Sequence, residues 1–175
     1  MNLRLPIRIC CLLLLFLSQR SAVATAHASA TQAAGFGFRF QLGNCLTETF
    51  DSSTGVFTKD LGGEPARLVT AQLSLSESQM NTIQQTIEEI RFVDYPSQYN
   101  GVPPGLETVT TFGPARTYRL EIRISGLTHA VMWKDAYKPT TEEADRLRAL
   151  FSMILRFIHS QPEFKRLPQP IGGCY

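Results

Sequence analysis

The chain has 175 residues, of which 43% are hydrophobic and 18% charged, and its formal net charge at pH 7 is +2. This composition excludes a disordered chain, a collagen-like chain and a protein of many domains. It fits one globular domain large enough to bury a sizeable core.

The first 30 residues have the order of a secretory signal peptide. Arg4 and Arg8 precede the apolar run 9–17, and two A-x-A sequences follow, ending at Ala26 and Ala30. This order predicts export, with cleavage after Ala26 or Ala30. The run is shorter than the roughly 20 apolar residues of a membrane-spanning helix. We therefore expect a single domain over residues 31–175, periplasmic or extracellular, without a stable membrane span after cleavage.

Cleavage changes the charge of the working protein. It removes Arg4, Arg8 and Arg20, three of the 17 basic side chains, so 14 remain against 15 acidic ones and the net charge is near −1. Binding to nucleic acid or to an anionic membrane needs a basic surface. We therefore expect no nucleic-acid partner.

Two cysteines remain after cleavage, Cys45 and Cys174. An even number of cysteines in an exported chain predicts a disulfide bond. This bond would close most of the chain into one loop, which could stabilise the fold by about 4 to 5 kcal/mol. The alternative is a thiol nucleophile or metal ligand, but the sequence contains no CxxC and no histidine near either cysteine.

Extended structure is predicted for the first part of the domain. Phe36, Phe38, Phe40 and Leu42 alternate with polar residues and glycine, which is typical of a strand with one buried face. Residues 46–50 and 56–60 flank the turn sequence 51–55 and predict a hairpin. Residues 67–73 predict a further strand.

A helix is predicted next. Ser74 and Glu77 form a capping-box pattern, and apolar residues then recur at helical spacing up to Ile90. The helix should end near Arg91.

Residues 95–116 are rich in proline, glycine, tyrosine and threonine, and they follow neither periodicity. The pattern predicts a long loop, and long loops in compact domains are often binding elements. Tyrosine gives contact area at low entropic cost. The candidate partner-binding residues are Tyr95, Tyr99, Pro103, Pro104 and Phe112; the alternative is that several of them hold the loop onto the domain.

The sequence also predicts a second hairpin. Residues 117–125 alternate strictly, and Ser125-Gly126 is a turn signal. Pairing Ile124 with Leu127 places Tyr118 opposite Trp133 on the buried face. A shift of one residue would expose Trp133, so the pattern fixes the register.

The last helix follows Pro139. Thr140 and Glu143 form a second capping-box pattern, a broad apolar stripe runs from Ala144 to Ile158, and Pro162 ends the helix. Residues 162–175 are predicted to be a tail that needs the disulfide bond to hold it. The order of elements predicts an α+β fold, with two helices on one face of a mainly antiparallel sheet.

Motifs for catalysis and cofactors are not found. The sequence contains no GxSxG, HExxH, GxxxxGK[ST] or GxGxxG. His129 lies at an inward strand position, which favours a hydrogen-bonded structural residue, and His159 lies in the last helical turn, which favours a cap. We therefore predict no catalytic, metal-binding or cofactor-binding residue and no cofactor.

Several segments resemble a family of uncharacterised exported bacterial proteins. The resemblance rests on residues 49–52, 58–61, 75–77, 92–96 and 133–135, and it implies no activity. The order of strands and helices is also similar to that of small secreted protease inhibitors of the emfourin type, without shared functional residues.

These observations predict an exported, non-enzymatic domain that binds a protein, with a protease inhibitor as one concrete form. Two alternatives stay open. One is a structural protein of the cell envelope kept near the membrane by an uncleaved N-terminus. The other is an enzyme without a recognisable motif, which would need His129 to line a cleft beside a carboxylate.

Overall fold

The computed structural model describes residues 35–43, 47–106, 110–138 and 140–171, with only the backbone of Phe112 and Pro114. The predicted signal peptide over residues 1–30 and the predicted disulfide partners Cys45 and Cys174 lie outside these ranges, so both stay predictions. Within the described ranges the chain forms these elements in order: β1 Phe36–Gly43, β2 Thr47–Asp51, β3 Val56–Asp60, β4 Leu68–Gln72, α1 Glu77–Glu89, a 3₁₀ turn Phe92–Asp94, β5 Gln98–Tyr99, β6 Thr110–Ile124, β7 Leu127–Lys138, α2 Glu142–Ser160 and α3 Pro162–Lys165.

The strands form one sheet in the order β4-β3-β2-β1-β6-β7-β5. Neighbouring strands are antiparallel, except that β5 runs parallel to β7. The predicted α+β class with a mainly antiparallel sheet is therefore confirmed.

One face of the sheet is apolar and carries the helices. A row of residues crosses this face from β4 to β7: Ala71, Phe57, Phe50, Phe40, Leu120 and Val131. These side chains pack in one core with the buried residues of α1 and α2. Polar residues such as Arg39 and Arg119 occupy the opposite face. Burial of the aromatic face under the helices is the main driving force for this fold.

The hairpin of β6 and β7 has the predicted register. The structure pairs Ile124 with Leu127, Ile122 with His129, Leu120 with Val131, and Tyr118 with Trp133. Ser125 and Gly126 have φ values of 50° and 85°, and a type I′ turn requires positive φ at both positions. The local alternation and the turn residues were sufficient to predict this pairing.

The first helix begins two residues later than predicted. Ser76 is its N-cap and forms a capping box with Gln79, in place of Ser74 and Glu77. The reason is that Leu73 and Leu75 are both buried. Burial at alternate positions keeps the chain extended through residue 75, so the helix starts after it.

The start of α2 is also shifted, by one residue. The N-cap is Thr141, whose hydroxyl accepts from the Ala144 N–H at 3.1 Å. The backbone N–H of Thr141 donates to Gly101 O at 3.0 Å, which holds Thr141 outside the helix. Thr140 donates instead to Asp145 Oδ1 at 3.1 Å.

The prediction of a continuous loop over residues 95–116 is wrong at two places. Residues 98–99 form β5 on the edge of the sheet, and residues 110–116 belong to β6. Between Thr111 and Arg116 the pairing with β7 shifts register. Such an irregularity accommodates Pro114, which has no N–H to donate to the sheet. The strand therefore continues through a sequence that resembles a loop.

The segment after α2 is packed against the domain, contrary to the prediction of a tail held only by a disulfide bond. Residues 162–165 form α3, and the ring of Phe164 meets the ring of Phe57 edge-on at 5.3 Å between centroids. The N–H of Ile171 donates to Leu61 O at 2.9 Å. Apolar packing and this hydrogen bond hold residues 162–171, because Phe164 and Leu167 both pack against the core.

Candidate functional site

A cleft of about 530 Å³ opens between the end of α1 and the start of α2. Its walls are formed by the chain from residue 90 to residue 104 on one side and by the first turns of α2 on the other. Lining residues are Ile90, Arg91, Asp94, Tyr95, Pro96, Tyr99, Val102, Pro104, Thr141, Glu143 and Arg146. A volume of this order is in the range of ligand sites in proteins.

Two tyrosines join the walls of the cleft. The hydroxyl of Tyr95 donates to the backbone oxygen of Glu143 at 2.9 Å, and the hydroxyl of Tyr99 lies 2.9 Å from Thr141 Oγ1. Their rings meet edge-on at 5.2 Å between centroids. Both hydroxyls therefore have hydrogen-bond partners within the domain, and both residues line the cleft.

Backbone contacts fix the same segment to β7. Trp133 Nε1 donates to Asn100 O at 3.3 Å, and the N–H of Met132 donates to Ser97 O at 2.9 Å. Gly101 has a φ of +69°, and a Cβ placed there would lie 3.1 Å from Ala144 Cβ. Glycine therefore allows this close approach to α2. The segment 95–101 is a fixed wall and not a free loop.

The structure brings three of the five candidate binding residues to the cleft. Tyr95 is only 7% exposed, Tyr99 is half-buried, and Pro104 is exposed. Pro103 is half-buried and is not among the lining residues, and the side chain of Phe112 lies outside the described part of the chain. For Tyr95 and Tyr99 the alternative reading, that they hold the segment onto the domain, describes most of what they do.

Charged residues at the rim of the cleft were missed by the sequence analysis. Arg91 pairs with Asp94 at 2.6 Å, and Arg146 pairs with Glu142 at 2.5 Å. All four side chains are at least half exposed. Glu142 is one of the acidic residues in the first turn of α2. Glu142 and Arg146 are four residues apart, so the pairing on one helix face could have been predicted from the sequence.

Burial changes the acidity of the tyrosines. It raises the pKa of Tyr95 to about 12, with the neighbouring Tyr99 and Glu143 acting in the same direction. Burial likewise raises the pKa of Tyr99, although the hydrogen bond to Thr141 opposes it. Both side chains therefore stay neutral hydroxyls throughout the physiological range.

No protein-family model matches the chain, and no curated protein matches it in sequence. The resemblances to an exported bacterial family and to emfourin-type inhibitors therefore stay predictions. The function must be argued from the cleft.

His129 is a packed residue outside the lining of the cleft. Its Nε2 lies 3.0 Å from the backbone oxygen of Tyr95, and its ring meets Phe92 edge-on at 5.7 Å between centroids. This agrees with the prediction of a hydrogen-bonded structural histidine. His159 was predicted to be a helix cap, but its Nε2 lies 3.3 Å from Glu48 Oε2 on β2.

In the described ranges no group of three or more histidine, cysteine, aspartate or glutamate side chains is arranged to hold a metal ion. Over the same residues, no helix combines the length and the apolar character needed to cross a bilayer.

Proposed function

We propose that the protein is a non-enzymatic binding domain that holds a segment of a partner protein in this cleft. The observation that carries the proposal is the fixed wall of residues 95–101, which hydrogen bonds join to α2 and β7. A preformed wall loses little conformational entropy when a partner docks. In line with the predicted signal peptide, we propose that binding takes place outside the cytoplasm.

The chemistry of the walls favours a peptide segment. The half-buried ring of Tyr99, together with Ile90, Val102 and Pro104, offers apolar contact, and the rim offers exposed ion pairs of both signs. Exposed ion pairs contribute little to stability, so their charges can turn to a partner at small cost. The expected occupant is an apolar side chain flanked by charged residues.

The packing of His129 supports a binding function over the enzyme alternative. That alternative needs a histidine in a cleft beside a carboxylate, whereas His129 lies against Phe92 and the backbone of Tyr95. The residues Asp94 and Glu143 line the cleft, whereas His129 is not among its lining residues.

A protease inhibitor is one concrete form of this function. The mature domain should inhibit a secreted protease when the two are mixed at equal concentrations, measured with a casein substrate across serine, cysteine, aspartic and metalloproteases. No inhibition in any class discards this form, while the broader proposal depends on the peptide experiment below.

The cleft itself is tested with peptides selected from a random library displayed on phage. We expect the selected peptides to bind Arg146→Glu at least about tenfold more weakly than the unsubstituted domain, a loss of about 1.4 kcal/mol. The matched control is Arg156→Glu, the same charge change on the same helix at an exposed position outside the lining. Equal affinity for all three proteins, or the absence of any binding peptide, contradicts the proposal.

A further inference from the structure

A second group of charged side chains lies on the helix-facing side of the sheet, and none of them lines the cleft. This ionic cluster consists of Glu48 on β2, Lys59 on β3 and His159 at the end of α2. Lys59 is 8% exposed and is the only charged residue in the described core. Its Nζ lies 3.4 Å from Glu48 Oε1, and the other carboxylate oxygen lies 3.3 Å from His159 Nε2. One carboxylate therefore contacts both bases.

Phe164 of α3 covers the ionic cluster. Its ring stacks on His159 with centroids 4.3 Å apart and an interplanar angle of 24°. Lys59 Nζ lies 5.2 Å from the centre of the same ring. The C-terminal segment 162–171 thus contacts the sheet through the residue that lies over these charges.

Glu48 has no substitute as a counter-charge. The residues paired with Glu48 and Lys59 on the neighbouring strands are Leu42 and Val69, which are apolar. On α3, Glu163 pairs with Arg166 at 3.9 Å, and Lys165 makes no ion pair within the described ranges. In the described part of the chain, loss of the Glu48 charge leaves Lys59 and His159 without a carboxylate.

The lowered pKa of Glu48 determines how the stability of the fold changes with pH. Burial alone would raise the pKa of Glu48, but hydrogen bonds and attraction to His159 and Lys59 outweigh it and hold the pKa below its usual 4.5. A carboxyl group with a lowered pKa in the folded state stabilises the fold above its unfolded pKa. That stabilisation is lost as the pH falls through the folded pKa.

We propose that the ionic cluster makes the packing of the C-terminal segment 162–171 sensitive to acid. Protonation of Glu48 removes the carboxylate charge that Lys59 and His159 both contact beneath Phe164. Strand pairing holds β2 and β3, and a broad apolar stripe holds α2, whereas α3 has only four residues. The segment therefore separates from the sheet while the rest of the domain stays folded.

Hydrogen exchange measured by mass spectrometry on the mature domain tests this proposal. At about pH 3, after correction for intrinsic exchange rates, peptides over 162–171 should lose protection about tenfold or more relative to neutral pH. Peptides over β6 and β7 should keep their protection. Glu48→Gln should give the same loss at neutral pH. The matched control is Asp51→Asn: this carboxyl also has a lowered pKa, through its bonds to Ser53 and Arg123 despite burial, but it lies on the outer face of the same strand.

A double substitution keeps the test decisive if Glu48→Gln does not fold. Glu48→Leu with Lys59→Met replaces the buried pair by apolar side chains of similar volume, a change that is often neutral or stabilising. This variant should protect 162–171 equally at both pH values. Three results would overturn the proposal: acid opening in the double variant, neutral-pH protection in Glu48→Gln equal to that of the unsubstituted domain, and simultaneous loss of protection in 162–171 and in β6 and β7.

Discussion

The two ends of α2 are joined to the sheet by different chemistry. At its N-terminal end the contacts beside the cleft are neutral hydroxyls, those of Tyr95 and Tyr99, and the ring of Tyr99 packs on Trp133. Farther along the helix, Arg148 adds an ion pair to Asp135 on β7. At its C-terminal end His159 contacts the carboxylate of Glu48, which forms an ion pair with Lys59. Neutral hydrogen bonds do not respond to acid, whereas an ion pair does. The hydroxyl contacts of Tyr95 and Tyr99 lie at the cleft, so they should persist at pH values that open the other end of α2.

Removing one aromatic ring from each end gives the largest contrast. Trp133 is 1% exposed and contacts Tyr99, Tyr118 and Phe151, so Trp133→Ala should lower the free energy of unfolding by about 3 to 5 kcal/mol. Phe164 is only half-buried, and Phe164→Ala should cost clearly less. Urea unfolding followed by far-UV circular dichroism measures both.

The exposed residue Leu127 is the control for this pair. It is 56% exposed in the turn region of the hairpin, and Leu127→Ala should change the free energy of unfolding by less than about 0.5 kcal/mol. If Phe164→Ala destabilises the domain as much as Trp133→Ala, the two ends are equally integral to the core and the contrast is wrong.

The same two ends show what a sequence can predict. Between Tyr118 and Trp133 the hairpin of β6 and β7 was predicted with the correct register because its signals are local: alternation, a two-residue turn and facing partners. Residues 110–116 of β6 carry no such signal and were predicted to be loop. The contact of His159 with Glu48 joins residues 111 positions apart, and that of Tyr95 with Glu143 joins residues 48 apart. Alternation and helical spacing report which side chains are buried, but not their partners.

The cleft was therefore only partly predictable. Tyr95, Tyr99 and Pro104 were selected for their residue types, and they do line it. The short parallel pairing of β5 with β7, which fixes the wall, involves two residues and leaves no periodic signal. The same limit explains why Arg91 and Arg146 were missed, since they line one cleft only in the folded chain.

The fixed wall can be loosened at Gly101. Gly101→Ala places a Cβ 3.1 Å from Ala144 Cβ and 3.2 Å from Trp133 Nε1, at a φ of +69°. The positive φ costs about 1 to 2 kcal/mol, and overpacking adds about 1 to 3 kcal/mol. Gly105 is a matched control, because it has a φ of +78° and no atom within 4 Å of an added Cβ. Equal destabilisation of Gly105→Ala and Gly101→Ala, measured by urea unfolding, would show that the wall is not tightly packed.

Of two ion pairs in the N-terminal half of α2, that of Arg148 with Asp135 should contribute more to stability than that of Arg146 with Glu142. Arg148 donates to both carboxylate oxygens of Asp135, at 2.8 and 2.9 Å, and lies over the ring of Trp133. Arg148→Gln leaves Asp135 unpaired at 11% side-chain exposure and should cost about 1.5 to 3 kcal/mol. Arg146→Gln removes an exposed pair with Glu142 and should leave the unfolding midpoint in urea unchanged. The reverse order of these effects would contradict the assigned burial.

The smallest predicted effect is a difference in how the two ends of α2 respond to alkaline pH. The pKa of Tyr95 is raised to about 12, above the ordinary tyrosine value of about 10. The hydroxyl of Tyr95 therefore contributes fully to stability below the unfolded pKa, and this contribution is lost as the pH rises through the folded pKa. Tyr95→Phe removes the hydrogen bond to Glu143 O and should cost about 1 kcal/mol at neutral pH, but it should then lose less stability than the unsubstituted domain between about pH 10 and pH 12. Tyr137→Phe is the control, because the side chain of Tyr137 is half-buried and its hydroxyl makes no hydrogen bond among the described residues. Urea unfolding across this pH range measures all three proteins, and an equal alkaline loss in Tyr95→Phe would mean that another group, and not the buried hydroxyl at the cleft, limits stability in alkali.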